Sequence, residues 1–460
     1  MQDRAALAYL AASLLTKGLS FITLPIYTRL LSTADMGVST VFATWYAVLY
    51  AVCTLSLSSG SVSVAMSDYS ENRDRYMSAC LSLSSLSVIL FGGIALLLHH
   101  KLEGITGVSD HLMHVMLCLL FFQPALEVWY ARKRFEYQYK SVLAVSVLMS
   151  ICSVFAGIVA VMVARNKMND NLGEVRVTFQ YAVIIAVSLL IYISIMRKGQ
   201  CFFDKEIWKY ALALSVPLVF HTLAKNILDV SDRLMIDAMC GKSYAGIYGT
   251  VYGISTAYII IWTAINSSMI PMLFEDLKNR RYSNIDNRIW KALRLISMIA
   301  IISTALAPEL LQLLTTAEYI EGVYIIPAVS AGIYFTVLYN VFSNFLMYAK
   351  KTFIIMFSTA IAAIVNLALN YLMIPRVGYI AAAYTTLFSY FVLAIMQIIG
   401  VKRYYKMSIL KKKRMVMLSS GTFAGCLLFG FFYGSLVGRL LLLTCIITCV
   451  YLFRRIRNCL

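Results

Sequence analysis

The chain has 460 residues, 60% of them hydrophobic and only 13% charged, with a formal net charge of +18 and a mean hydropathy of +0.77. A soluble chain carries roughly 25% charged residues, and so much apolar surface cannot be covered by so little charge in water. The composition excludes an ordinary soluble protein and points to a polytopic integral membrane protein. The basic excess belongs in short cytoplasmic loops rather than on nucleic acid, because no basic run carries an aromatic stacking platform.

A membrane-spanning helix needs about 20 apolar residues. On that rule fourteen spans fall near 5–30, 37–60, 79–98, 112–131, 141–164, 177–196, 210–236, 244–270, 292–314, 323–348, 353–374, 379–400, 416–434 and 435–453. The last two also read as one re-entrant hairpin. The first segment outruns a signal core of about 7–15 residues, contains Lys17 and lacks a small-residue cleavage site, so it is expected to stay as a span. With the N-terminus inside, 29 of the 40 Lys and Arg residues fall on the cytoplasmic side, as membrane topology favours. Lys17, Lys225 and Arg233 lie within spans. Both termini are therefore expected in the cytoplasm.

The ten cysteines are scattered singly and read as small apolar filler. No loop is long enough to bury a core of its own, so function must lie among the helices. A faint repeat links the two halves. Arg29 precedes Gly37 at the exit of span one, and Arg233 precedes Gly246 at the exit of span seven. Two six-helix halves would place these at matching positions, a common transporter plan. The expected organisation is all-α, with lobes at 1–200 and 201–400 and a basic linker and terminal helix pair at 401–460. Gly421, Gly425, Gly430, Gly434 and Gly438 in that pair suit either close helix contact or a hairpin turn near Gly434.

Charges inside a membrane are costly and are functional candidates by default. Lys17 and Lys225 lie near the middle of spans one and seven, equivalent under the repeat. His221, Lys225, Asp229, Arg233 and Asp237 follow at four-residue spacing, which puts them along one slanted face of a helix. Asn226 and Asp232 widen that stripe, and a lipid-facing helix could not hold it. On one reading Lys225–Asp229 and Arg233–Asp237 neutralise each other as a scaffold. On the other the cations meet an anionic substrate, with Asp229 or Asp232 holding them or coupling to an ion. Asn340 with Asn344, and Asn366 with Asn370, read as helix–helix hydrogen-bonding pairs. Gln123 and Glu127 could line an entry, and Arg29 and Arg233 could snorkel to the surface.

Catalytic motifs are absent from the sequence. Gly241-Lys242-Ser243 resembles the end of a phosphate-binding loop, but Ile236 stands where the first glycine belongs. His111 and His114 share one short loop without further ligands, and no metal or cofactor is expected. A membrane enzyme would need a sizeable outer loop with acid–base residues, and none is present. With no ATPase domain, energy would come from an ion gradient, the membrane potential or the substrate gradient.

Three segments resemble a known family: LPIYTRLLSTADMGV (24–38), YAGIYGTVY (244–252) and NLALNYLMIPRVGYIAAAYTT (366–386). They are similar, in order and in both halves, to the O-antigen or Wzx-type polysaccharide repeat-unit flippases of the multidrug/oligosaccharidyl-lipid/polysaccharide exporter superfamily. The resemblance implies a MATE-like bilobed helical bundle with a cationic central cavity and alternating access. It implies transfer of undecaprenyl-diphosphate-linked oligosaccharide from the inner to the outer leaflet of a bacterial inner membrane. Expected partners are that lipid-linked sugar, membrane lipid, H+ or Na+ for coupling, and a polysaccharide polymerase. Lys17, Lys225, Asp229, Arg233, His221 and Asn226 are the expected substrate-binding residues, with Asp232, Asp237 and Glu127 in ion coupling or scaffolding. An ion-coupled multidrug antiporter of the same fold is the alternative, although cationic drugs would disfavour Lys17 and Lys225.

Overall fold

The computed structural model describes residues 2–58, 61–136, 138–167, 171–404 and 412–444. All regular structure among them is helical, in two compact units, Met1–Gly249 and Thr250–Leu460.

The first unit contains α1 (Gln2–Leu30), α2 (Thr33–Cys53), α3 (Ser61–Asp68), α4 (Arg73–Leu97) and α5 (His99–Thr106). It continues with α6 (Asp110–Phe135), α7 (Tyr139–Asn166), α8 (Leu172–Gly199), α9 (Lys205–Cys240) and the start of α10 (Lys242–Thr256). α8 packs against α7, α6, α4 and α2, while α1 lies along α7 and α9 along α2. Local chemistry fixes the ends. Ser32 caps α2 by accepting from Asp35 N at 3.1 Å, and the Asp35 carboxylate accepts from Ser32 N in return, a reciprocal capping box. The other Asp35 oxygen accepts from Gly173 N at 2.8 Å, so one side chain ties the start of α2 to the start of α8. The first turns of α2 and α10 cross at Gly37 and Gly246, where no side chain separates the backbones.

The second unit contains the rest of α10, then α11 (Ile259–Lys278), α12 (Tyr282–Ala305) and α13 (Ala307–Leu314). A 3-10 segment (Ala317–Ile325) leads into α14 (Ile326–Tyr348), followed by α15 (Thr352–Val377), α16 (Ala381–Tyr404) and α17 (Lys412–Gly430). Residues 436–444 are again helical after a turn at 431–434. α14 is buried along most of its length by α16, α12 and α17, which explains why it is apolar all round. Three of the four expected asparagines, Asn344, Asn366 and Asn370, join helices. Asn366 Nδ2 donates to Thr386 Oγ1 at 3.0 Å, Asn370 Nδ2 donates to Asn366 Oδ1 at 3.2 Å, and Thr385 donates to Asn370. Asn344 donates to Asn266 at 2.8 Å, linking α14 to α11. Of the terminal glycines, Gly425 and Gly430 sit at packing distance from Ile301 and Pro327, but a methyl on Gly421 or Gly434 would meet nothing within 4 Å.

Two expected spans are bent pairs. α10 and α11 meet at 45°, and α12 and α13 meet at 66°. Pro308, in the first turn of α13, has no N–H to give to the carbonyl four residues back. That carbonyl, of Thr304, accepts from Tyr433 Oη at 3.2 Å, and its neighbour, of Ala305, accepts from Arg439 Nη1 at 2.9 Å. Arg439 also grips Glu309 with two hydrogen bonds of 2.6 and 2.7 Å. Among the described residues nine helices are long and apolar enough to cross a membrane, or eleven if each bent pair is one span. α1 and α17 are not among them. α17 opens on Lys412, Lys413 and Arg414, and most of the expected last span, 435–453, lies outside the described residues.

Candidate functional site

The polar row lies on α9, which at 36 residues is about 54 Å long. Asp204 starts it, accepting from Glu206 N at 3.1 Å and Ile207 N at 3.2 Å, and from Arg75 Nη2 at 2.9 Å. These donors, the Ile207 N–H first, hold the Asp204 carboxyl below its ordinary range. Gly241, with φ of +102°, ends the helix in a conformation that side chains resist.

Along this axis the row divides. Lys225 Nζ lies 2.6 Å from Asp229 Oδ2, with the lysine side chain 51% and the aspartate 29% exposed. An ion pair this open adds little stability. The lysine therefore keeps an accessible cationic head while its pair limits the cost of placing it in an apolar helix. Asn226 turns the other way and donates to Ala47 O of α2 at 2.7 Å. Asp232 is buried, accepting from the hydroxyl of Tyr248 and from Arg233 N at 3.0 Å. Arg233 is half-buried. Asp237 was expected opposite Arg233. Its carboxylate lies against Gly107, close enough that a methyl there would fall 2.8 Å from Oδ2, with the Lys242 side chain alongside.

The structure thus pairs Lys225 with Asp229, sets Asp232 beside Arg233 and within electrostatic reach of Asp229, and places Asn226 against α2 and Asp237 against Gly107. His221 and Asp237 are sixteen residues apart, about 24 Å along the helix, so the row is not a single pocket. Lys17 falls on α1 and His221 on α9; their side chains lie outside the described ones. Glu127 is half-buried on α6, within electrostatic reach of Tyr46 and Tyr50. The hydroxyls of Tyr46 and Tyr130 and the Gln123 amide oxygen are buried near it on α2 and α6, with no hydrogen-bond partner among the described residues. Among those residues no cluster of three His, Cys, Asp or Glu side chains could hold a metal.

Sequence reasoning missed two features. Tyr248 is the donor to Asp232, and nothing in spacing links positions 16 residues apart across a helix break. The Arg176 guanidinium of α8 stacks 3.8 Å from the Tyr27 ring centroid of α1, a cation–π contact.

A profile of polysaccharide biosynthesis proteins matches residues 4–277, which include the α9 row and both crossing glycines. The chain belongs to this family. Among curated polysaccharide biosynthesis proteins it is similar to the capsular polysaccharide biosynthesis protein CapF of Staphylococcus aureus, 23% identical over 74% of this chain and 84% of CapF. It is also 20% identical to an uncharacterized membrane protein of Methanocaldococcus jannaschii, over 69% of this chain and 65% of that one, slightly under two thirds of its length. Among solved structures it is similar to the lipid II flippase MurJ in an inward closed conformation, with a TM-score of 0.69, 14% identity and coverage of 98% and 100% of the two chains. An inward-facing multidrug resistance MATE transporter of the MOP superfamily gives a TM-score of 0.61 at 13% identity, over 88% and 96%. This polysaccharide biosynthesis protein is therefore an all-helical, multi-pass membrane protein with a transporter fold of the MurJ and MATE type.

Proposed function

We propose that this chain is a flippase that moves undecaprenyl-diphosphate-linked oligosaccharide repeat units from the inner to the outer leaflet of a bacterial inner membrane by alternating access. Family membership supports a role in polysaccharide synthesis, and the fold supports transport. The observation that carries the substrate class is Lys225, an accessible cation midway along an apolar helix. A diphosphate cannot cross hydrocarbon unaided, and a cation in low dielectric attracts it strongly. Lys225 and Lys17 hold the diphosphate in this reading, with Asp229, Asn226, Arg233 and His221 completing the site. Asp232, Asp237 and Glu127 serve ion coupling or scaffolding. H+ and Na+ are the candidate ions, and a polysaccharide polymerase is the candidate partner. Both termini face the cytoplasm in this topology, because that places 29 of 40 basic residues inside.

The test is the leaflet distribution of lipid-linked oligosaccharide in spheroplasts with and without the protein, read by an impermeant glycan probe. Accumulation on the inner leaflet in its absence supports the proposal. An unchanged distribution, with no other flippase compensating, overturns it. An ion-coupled multidrug antiporter is the second reading. The MATE-type fold and the Glu127 carboxylate among tyrosines favour it, and increased drug susceptibility of a deletion strain would establish it.

A further inference from the structure

α12 and α17 run side by side in the same direction. Ser297 and Thr422 share a hydrogen bond of 2.6 Å, and one turn further on Gly425 sits at packing distance from Ile301. α14 covers one side of this pair, through Ser303 to Ser330 at 3.5 Å and Tyr334 to Ser419 at 3.0 Å. The helical repeat fixes what the other side presents. Counted from Ser297, Arg294 stands about 60° and Met298 about 100° around α12, away from Ser303. Counted from Thr422, Arg414 stands about 80° and Gly421 about 100° around α17, away from Ser419. Lys291 and Met417 border the same side. Gly421 leaves a groove between the helices, since a methyl on it would meet nothing within 4 Å, and the exposed side chains of Met298 and Met417 flank it.

The cations gather at one end of this groove. Measured along the axis from the Ser297–Thr422 contact, Lys291 lies about 9 Å and Arg414 about 12 Å toward the helix starts, with Arg294 about 4.5 Å away. None of these three side chains has an ion pair or hydrogen bond among the described residues. Arg288 on the same helix is paired with Asp276 at 2.7 Å. α17 carries no carboxylate, and the one on α12, Asp286, lies five residues before Lys291. Basic residues of the first unit are placed differently. Arg75 is paired with Asp204 and Arg132 with Asp74 and Glu136, while Arg73, Lys133 and Arg134 lie over aromatic rings. Membrane topology asks only for positive charge. It does not ask for three uncommitted cations, from segments more than a hundred residues apart, at the head of one groove.

We propose that this groove binds an anionic phospholipid, its phosphate held by Lys291, Arg294 and Arg414 and one acyl chain laid over Gly421 between Met298 and Met417. The charge selects the class. Cations without counter-ions attract an anionic headgroup, whereas a zwitterionic headgroup brings its own ammonium to its phosphate. The bound lipid spans the α12–α17 seam and so stabilises the docking of α17. The site is separate from the transported substrate.

The test is native mass spectrometry of the full chain in neutral detergent, titrated with phosphatidylglycerol or phosphatidylcholine. Phosphatidylglycerol is expected to fill one saturable site that phosphatidylcholine does not. Arg294→Gln and Arg414→Gln should each weaken it about fivefold, the scale of one basic residue at an anionic lipid surface. Gly421→Leu points into open space, so it should fold, and it should weaken binding with every charge in place. Lys278→Gln combined with Arg280→Gln removes two charges from the turn before α12, outside the groove, and should leave binding unchanged. Equal weakening by that pair would reduce the effect to general surface charge and overturn the site. Equal binding of phosphatidylcholine overturns it as well. Preference for undecaprenyl diphosphate over phosphatidylglycerol, lost in Arg294→Gln and Arg414→Gln, would give the groove to the transported lipid and overturn its assignment to phospholipid.

Discussion

Gly37 and Gly246 each lie against the backbone of the other's helix. A methyl on Gly37 would fall 2.0 Å from the Lys242 carbonyl oxygen, and one on Gly246 would fall 2.0 Å from that of Thr33. These are the glycines that open equivalent spans in the sequence repeat, and in space they make a near-reciprocal crossing. Gly246→Ala is expected to force the helices apart at a cost of about 1–3 kcal/mol, lowering the melting temperature in detergent by several degrees. Gly253→Ala on the same helix, where nothing lies within 4 Å, is the neutral control. Equal melting of the two variants would refute the crossing.

Tyr248→Phe removes the hydroxyl that Asp232 accepts. Taking one partner from a buried polar pair costs about 1–3 kcal/mol. Asp232→Asn should reduce that penalty, because a neutral amide needs the tyrosine less than a carboxylate does. A double-mutant cycle on thermal unfolding measures the coupling, and a coupling of zero would show that the two act independently.

Lys225→Ala is expected to abolish surface glycan while the protein still inserts at normal abundance, and Lys17→Ala to do the same. Lys225→Arg should keep partial export, since the charge remains but the bidentate fork differs from a point charge. Normal glycan in both alanine variants would end the cationic-site mechanism.

Asp204 sits outside the membrane-spanning core with its carboxyl held below the ordinary range, by Ile207 N–H first and by the Arg75 ion pair. A depressed carboxyl contributes stability above the unfolded value of about 3.9, and that contribution is lost as pH falls through the folded value. The acid side of the stability profile, below about pH 4, should therefore flatten in Asp204→Asn. An identical acid limb in the variant would exclude Asp204 as its source.

Helix class, the α9 row and the Lys225–Asp229 pair were legible because a four-residue spacing has one meaning on a helix. The Asn366–Asn370 pair was legible for the same reason. Helix breaks were not: 292–314 reads as one apolar run, although Pro308 already signals that Thr304 loses its helical donor. The separate surroundings of Asp232 and Asp237 were also hidden, because they depend on Tyr248 and Gly107, whose positions are set by chain reversals rather than by spacing. A period places residues on a face but not the helix that meets that face.

The 66° bend between α12 and α13 has a consequence for how the second unit is assembled. Its Thr304 and Ala305 carbonyls find their donors 129 and 134 residues further along the chain, on Tyr433 and Arg439. Until the chain has been made past α17 those donors are absent, and an unmatched carbonyl is expensive in hydrocarbon. The bend therefore has both carbonyls matched by side chains only once the segment carrying Tyr433 and Arg439 is in place. The far end of the chain thus completes the hydrogen bonding of a bend made more than a hundred residues earlier.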